Sequence, residues 1–248
     1  MLETSDATVA DLPSFIAQRY TAYDDEAHAV WRLLFERRMA TLIDTGSETF
    51  LSGMERIGLS PDHVPDLADV NARLSARTGW AAVGVNGFIP AAQFFRCLEQ
   101  RRFPTTLKVR PRAQLNYLPE PDIFHDVFGH VPLHADPVFA DFLQQFGAIA
   151  ARARSPEQIA AMARLFWFTV EFGLIRERSK VRIYGSGLIS SHADAENALG
   201  PSCDRRPFDL DAVLDQPFEI DRLQDVLFVV ESFDELFNAV NEVARRLA

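Results

Sequence analysis

The sequence predicts a mainly α fold, a single domain of packed helices with a few short β-strands. Three observations lead there. Several stretches carry apolar residues at helical spacing between recognisable caps. Strand-like runs are short and do not alternate with helices in a βαβ order. With 248 residues, 48% of them hydrophobic and 20 of them Phe, the chain has enough apolar side chain for one large core. Residues 1–20 are weakly patterned and read as a loose tail; residues 21–248 read as the domain.

The elements follow in order. From Asp24, residues Ala27, Val30, Trp31 and Leu34 keep the i, i+3, i+4, i+7 rule of a helix. Glu48 to Ile57 reads as a second helix ending near Gly58, and "PDLADVNARLSART" as a third stopping at Gly79. "AAVGV" is a strand candidate leading into the turn-like "NGFIP", and Pro90 then opens a helix carrying Phe94, Phe95 and Leu98. Asp136-Pro137 supplies an N-cap with proline at the first helical position, ahead of "VFADFLQQFGAIAARA". Ser155-Pro156 does the same, with Gln158 completing a capping box, and that helix is expected to run through "EQIAAMARLFWFTVEFGLI". "KVRIYG", "FEI" and "VLFVV" are strand candidates, and Ser232 with Glu235 caps a last helix.

Composition excludes some functions. Lys and Arg total 25 against 35 Asp and Glu, a formal charge of −10. A nucleic-acid or anionic-membrane binder needs clustered cations, so neither partner is expected. The first residues lack the basic start and apolar core of a signal peptide, and no apolar run is long enough to span a bilayer. Cys97 and Cys203 are the only cysteines, too few for a thiolate metal site or a disulfide framework. A reduced, cytoplasmic protein is expected.

"PEPDIFHDVFGHVPLH" holds three of the six histidines of the chain. On a regular helix His125 and His130 would diverge by about 140°. They converge if a short helix starting at Pro121-Asp122 ends at Gly129, with Pro132 blocking its continuation. Two histidines at this spacing are weak evidence for a metal. Glu171 adds to it, because it lies in the most hydrophobic stretch of the chain and a buried glutamate needs a partner. That partner is either a metal or an arginine such as Arg176 or Arg178. Two imidazoles and a carboxylate form the facial set of non-haem Fe(II) oxygenases. A zinc hydrolase uses the same ligand types, with Asp126 offered as its base. A non-catalytic helical binding module is the third reading.

"PEPDIFHDVFGHVPL", "WFTVEFGL" and "YGSGLISS" closely resemble the signatures of the pterin-dependent aromatic amino acid hydroxylases, nearest to the short bacterial members acting on phenylalanine. "DDEAHAVWRLLFERR", "TGW", "VNGFIPAAQFF" and "RRFP" also match in order, so the likeness covers roughly residues 20–240. The resemblance implies a hydroxylase-like catalytic domain and a reaction converting L-phenylalanine to L-tyrosine with O2, Fe(II) and a tetrahydropterin. It implies that His125, His130 and Glu171 are iron ligands. It places Gly87, Phe88, Ile89, Phe94 and Asp126 at the pterin. Arg110 corresponds to the arginine that pairs with the substrate carboxylate. Leu118, Pro119, Trp167 and Gly187 fall in the substrate pocket, with Tyr117 and Phe166 as further lining candidates. Ser190 corresponds to a serine bracing an iron-bound histidine beside the substrate. Asp126 is shorter than the more common Glu, Leu118 stands for a threonine of the animal enzymes, and Pro104 for a histidine near the pterin. His28, His63 and His134 receive no role. Tryptophan or tyrosine remains an alternative substrate within the family. A pterin-recycling enzyme is the expected pathway partner, and a monomer the expected state, since the animal enzymes' regulatory extension and tetramerisation helix have no counterpart.

Overall fold

The computed structural model describes residues 11–116 and 120–246. Helix α1 (Asp25–Thr45) starts on the Asp24 carboxylate, which accepts from the Ala27 amide. The Ser47 hydroxyl caps α2 (Glu48–Ile57), and α3 (Leu67–Thr78) begins at Asp66. Gly58 and Gly79 end these two helices in the left-handed conformation that glycine adopts without penalty. Strand β1 (Ala81–Val85), α4 (Ala91–Glu99) and β2 (Arg102–Thr106) follow, and the two strands pair in parallel. Beyond the histidine segment come α5 (Pro137–Ala150) and α6 (Pro156–Phe166), the latter opened by the expected Ser155–Gln158 capping box.

The second half adds β3 (Leu174–Glu177), β4 (Lys180–Ile183), α7 (Ser186–Ser190), α8 (His192–Leu199), β5 (Asp204–Pro207), α9 (Leu210–Asp215), β6 (Val226–Val230) and α10 (Phe233–Arg246). Its sheet runs in the order β4-β3-β6-β5, antiparallel only between β3 and β4. The mainly α architecture is as the sequence indicates.

Several details differ. The helix expected to reach Ile175 stops at Glu171, and the chain re-enters as β3. Gly173 is the reason: a Cβ there would sit 2.1 Å from the Tyr184 ring and 2.2 Å from the Thr169 carbonyl, so the backbone turns against a crossing segment. "FEI" is not a strand; Phe218 instead stacks on Trp167, with centroids 4.4 Å apart. Strands β2, β3 and β5 carry no clear alternation, and β2 contains Pro104. Around Ser232, the Glu235 carboxylate accepts from the Glu231 amide at the start of α10. The described part of the N-terminal segment is held rather than loose. The Ile16 amide donates to the Gly84 carbonyl, and the Gln18 side chain bonds Pro65 and Leu67.

The largest departure is the winding of the two segments that carry the candidate ligands. Phe124–His130 and Trp167–Glu171 are π-helical, and the second shows its i→i+5 bond directly, from the Phe172 amide to the Trp167 carbonyl at 2.8 Å. Phe124 and Phe128 stack at 4.5 Å and press edge-on against Trp31, with Phe35 and Phe50 also against Phe128. Helices α1 and α2 thereby fix one side of the histidine segment. No helix among the described residues is long and apolar enough to cross a membrane.

Candidate metal centre and its pocket

His125, His130 and Glu171 converge. Their ligand-type atoms all lie within 4.8 Å of one another. The two Nε2 atoms are 3.3 Å apart, and Glu171 stands 3.3 Å from His130 and 3.7 Å from His125. The sequence reading expected convergence through a helix end at Gly129. The segment achieves it by winding: i→i+5 bonding puts more residues in each turn than an α-helix has, so His125 and His130 fall much closer to one side. Gly129 serves another purpose, because a Cβ there would press within 3.1 Å of the Ser186 carbonyl.

The arginines that could have satisfied Glu171 are elsewhere. Arg176 pairs with Glu231 and Arg178 with Glu48. Instead the Ser186 hydroxyl donates to Glu171 Oε2 at 2.8 Å. Ser190 lies 2.8 Å from His125 Nδ1, which leaves Nε2 to face His130 and Glu171. Burial drives the pKa of His125 down to about 4. Burial alone would raise that of Glu171, but the facing His130 and His125 and the Ser186 hydroxyl hold it down to about 2. Near neutral pH His125 is therefore uncharged and Glu171 is ionised, the forms that bind a metal. The donor set fits a divalent cation of the first transition row.

One side of the triad opens on a pocket of about 530 Å³, lined by His125, Glu171, Trp167, Arg110, Gly187 and Ser190 among others. His130 is almost fully buried behind it, its ring 4.6 Å from that of Phe103. A three-residue facial set beside an open cavity leaves coordination positions for exogenous groups.

The family model for biopterin-dependent aromatic amino acid hydroxylases matches residues 17–248. The chain belongs to this family. Phenylalanine-4-hydroxylase of Chromobacterium violaceum is 42% identical over 225 residues, covering 90% of this chain and 76% of that protein. The Ralstonia nicotianae phenylalanine-4-hydroxylase is 43% identical, covering 89% and 70%. A crystal structure of the Chromobacterium enzyme, with bound iron(III) and oxidised 7,8-dihydrobiopterin, superposes with a TM-score of 0.89 at 41% identity over 94% of this chain and 86% of that one.

The other hydroxylase-like positions distribute around the pocket unevenly. Arg110 is 10% exposed and pairs with Asp122, which is fully buried. Its Nε and Nη2 each donate at 2.8 Å to one Asp122 oxygen. Asp122 also accepts from the Arg110 and His125 amides, so it ties the arginine to the metal segment. Sequence reasoning treated Asp122 only as a helix start. It missed Ser186 as well, although Ser186 and Ser190 are spaced by four in "YGSGLISS".

Trp167 is sandwiched between Phe172 and Phe218, at 4.7 and 4.4 Å, and its buried indole nitrogen has no partner. Gly187 is close to the Glu171 carbonyl, at 3.0 Å from a would-be Cβ. Gly87 takes the left-handed φ of +80° in the loop after β1, and Phe88 stands 73% exposed at the pocket mouth, with Ile89 half-buried beside it. Phe94 packs edge-on against Phe103 and Phe166, one ring removed from His130, and does not line the pocket; neither does Phe166. Asp126 is buried and accepts from the Thr106 amide at 2.6 Å; burial pushes its pKa up to about 7. Tyr117, Leu118 and Pro119 lie outside the described residues.

Proposed function

We propose that the chain is a phenylalanine 4-monooxygenase, hydroxylating L-phenylalanine to L-tyrosine with O2, ferrous iron and a tetrahydropterin. The observation that carries this reading is the convergence of His125, His130 and Glu171 on one side of an open pocket, in a chain of this family. Its bacterial relatives named above are phenylalanine-4-hydroxylases.

His125, His130 and Glu171 hold the iron, with Ser190 and Ser186 fixing the orientation of one imidazole and the carboxylate. The chemistry available at that site is O2 activation with two electrons from the pterin, one oxygen atom going to the aromatic ring and the other to the pterin. Arg110 binds the amino acid. Its side-on N–H groups are spent on Asp122 and one Nη1 N–H makes a long 3.5 Å bond to the Leu115 carbonyl, which leaves one N–H on each of Nη1 and Nη2 for the substrate carboxylate. Trp167, rigid between two rings, packs against the substrate ring and adds about 0.5–1.5 kcal/mol of edge-to-face attraction beyond burial. By the family resemblance Leu118 and Pro119 are also assigned to the substrate, and Gly187 lines the pocket without a side chain. Gly87, Phe88, Ile89, Phe94 and Asp126 are the residues that would hold the pterin, of which Phe88 lines the pocket directly. The apolar walls exclude water from the reacting centre.

Hydrolysis is not favoured: Asp126, its candidate base, is turned to the Thr106 amide and away from the pocket. The oxidised pterin formed at each turnover calls for a recycling enzyme. A reducing, cytoplasmic setting suits the buried, unpaired Cys97 and Cys203, and a monomer is the proposed state.

The test is anaerobic reconstitution with Fe(II), then aerobic turnover with a tetrahydropterin and each aromatic amino acid in turn. Tyrosine formation from phenylalanine, coupled to pterin oxidation, is expected. Preferential turnover of tryptophan or tyrosine would reassign the substrate. Absence of pterin-dependent oxygen uptake with all three would overturn the reading.

A further inference from the structure

Arg38 is a charge in the core that the ligand set does not explain. It lies on the buried side of α1, 2% exposed. Burial and the neighbouring Arg37 both act against its charge, and Asp194 offsets them only from a distance. None of its donors meets a carboxylate. Nε donates to the Ile189 carbonyl at 2.6 Å and Nη2 to the Leu188 carbonyl at 3.0 Å. Nη1 reaches the Thr41 hydroxyl at 3.2 Å and His192 Nδ1 at 3.4 Å.

Leu188 and Ile189 belong to α7, a helix of five residues. Its last carbonyls have no helical partner and form the negative end of the helix, where a cation is favourable. The same short helix carries Ser186 and Ser190, one turn apart, which bond Glu171 and His125. One guanidinium therefore holds the helix that holds two of the three ligands. Close packing of Gly129 against Ser186, and of Gly187 against the Glu171 carbonyl, leaves α7 little room on the side of the ligands.

We infer that Arg38 is a positioning residue for the metal centre, fixing α7 so that Ser186 and Ser190 orient Glu171 and His125. This rests on the reading of the triad as an iron site.

The experiment is a titration of apoprotein with Fe(II), and separately with Co(II), for wild type, Arg38→Met, the double variant Ser186→Ala/Ser190→Ala, and all three changes together. Arg38→Met is expected to weaken both metals by about 10–100-fold, the range typical of groups that orient ligands. In the serine-free background the same change is expected to cost much less, because the route from Arg38 to the ligands is already cut. Wild-type affinity in Arg38→Met, or an undiminished loss in the serine-free background, overturns the inference. Should Arg38→Met fail to fold, Arg38→Gln, which retains an amide donor for one carbonyl, enters the same cycle under the same criteria. A wild-type chain that binds neither metal overturns the iron reading and this inference with it. A wild-type chain that binds while Arg38→Met binds equally overturns this inference alone.

Discussion

Asp122 has no exposed surface, yet it stays ionised because Arg110 meets both of its oxygens at 2.8 Å. Burial opposes that charge, and the guanidinium with two backbone amides outweighs it, so the pKa lies below the usual carboxylate range. Arg110→Lys keeps a cation but loses the planar fork. The phenylalanine KM is expected to rise by roughly 10–100-fold, the worth of one or two charge-assisted hydrogen bonds, with iron content unchanged. An unaltered KM would remove Arg110 from substrate binding. His125→Ala, His130→Ala and Glu171→Ala are expected to lower Fe(II)-dependent hydroxylation by more than about 100-fold, beyond the loss typical of outer partners. Circular dichroism should show each variant folded. His134 provides a separate check on burial. It lies 4.6 Å from Trp80 and 5.0 Å from Phe103, and neither ring nitrogen has a hydrogen-bond partner. Burial and the nearby His130 push its pKa down to about 3. Unfolding restores an ordinary imidazole near 6.5, so below that pH the unfolded chain binds a proton that the folded chain refuses. Stability is therefore lost as pH falls from about 6.5 toward 3, by on the order of 5 kcal/mol for this residue. His134→Phe should flatten that decline in denaturant titrations run between pH 7 and 4. An identical decline in the variant would show that other groups set the acid limit.

At the scale of elements, capped helices were the legible part of the sequence. Asp24, Ser47, Asp66, Asp136 and Ser155 each start a helix through a side-chain oxygen, and that signal is local. The π-helical windings were not legible. Nothing in "FHDVFGH" or "WFTVE" distinguishes i→i+5 from i→i+4 bonding, because that choice is made by tertiary packing. The candidate ligands were readable from their types together with the family resemblance, whereas the mechanism of convergence, attributed to Gly129, was not. Strand β5, with the sequence DRRP, likewise has no apolar alternation and exists through its pairing with β6. The crossing of α2 over the turn after His130 is set by Gly53. A Cβ there would lie 2.1 Å from the Pro132 carbonyl oxygen, a backbone atom with no rotamer to yield. Gly53→Ala is expected to destabilise by about 3 kcal/mol or more, the upper end for overpacking, and to displace His130. Equal denaturation midpoints for the two proteins would contradict this close contact.

On the scale of the whole molecule, the fold brings together groups far apart in sequence. Helices α1 and α2 support the histidine segment through Trp31, Phe35 and Phe50. Strand β2 backs it with Phe103, and α7 delivers two serines to His125 and Glu171. The pocket opens where these parts meet, and its walls come from α1, the loop after β1, the segment near Arg110 and the Trp167 region. The family signatures marked most of these walls and contain Asp122, Ser186 and Arg38, but the roles of these three emerge only from the contacts. The most direct measurement on this centre is X-ray absorption at the iron edge of Fe(II)-reconstituted protein. One iron per chain, with scattering from two imidazoles and one carboxylate and with the imidazole signal reduced in His130→Ala, is the expected result. Failure to retain iron, or an iron without imidazole scattering, would contradict a metal held by His125, His130 and Glu171.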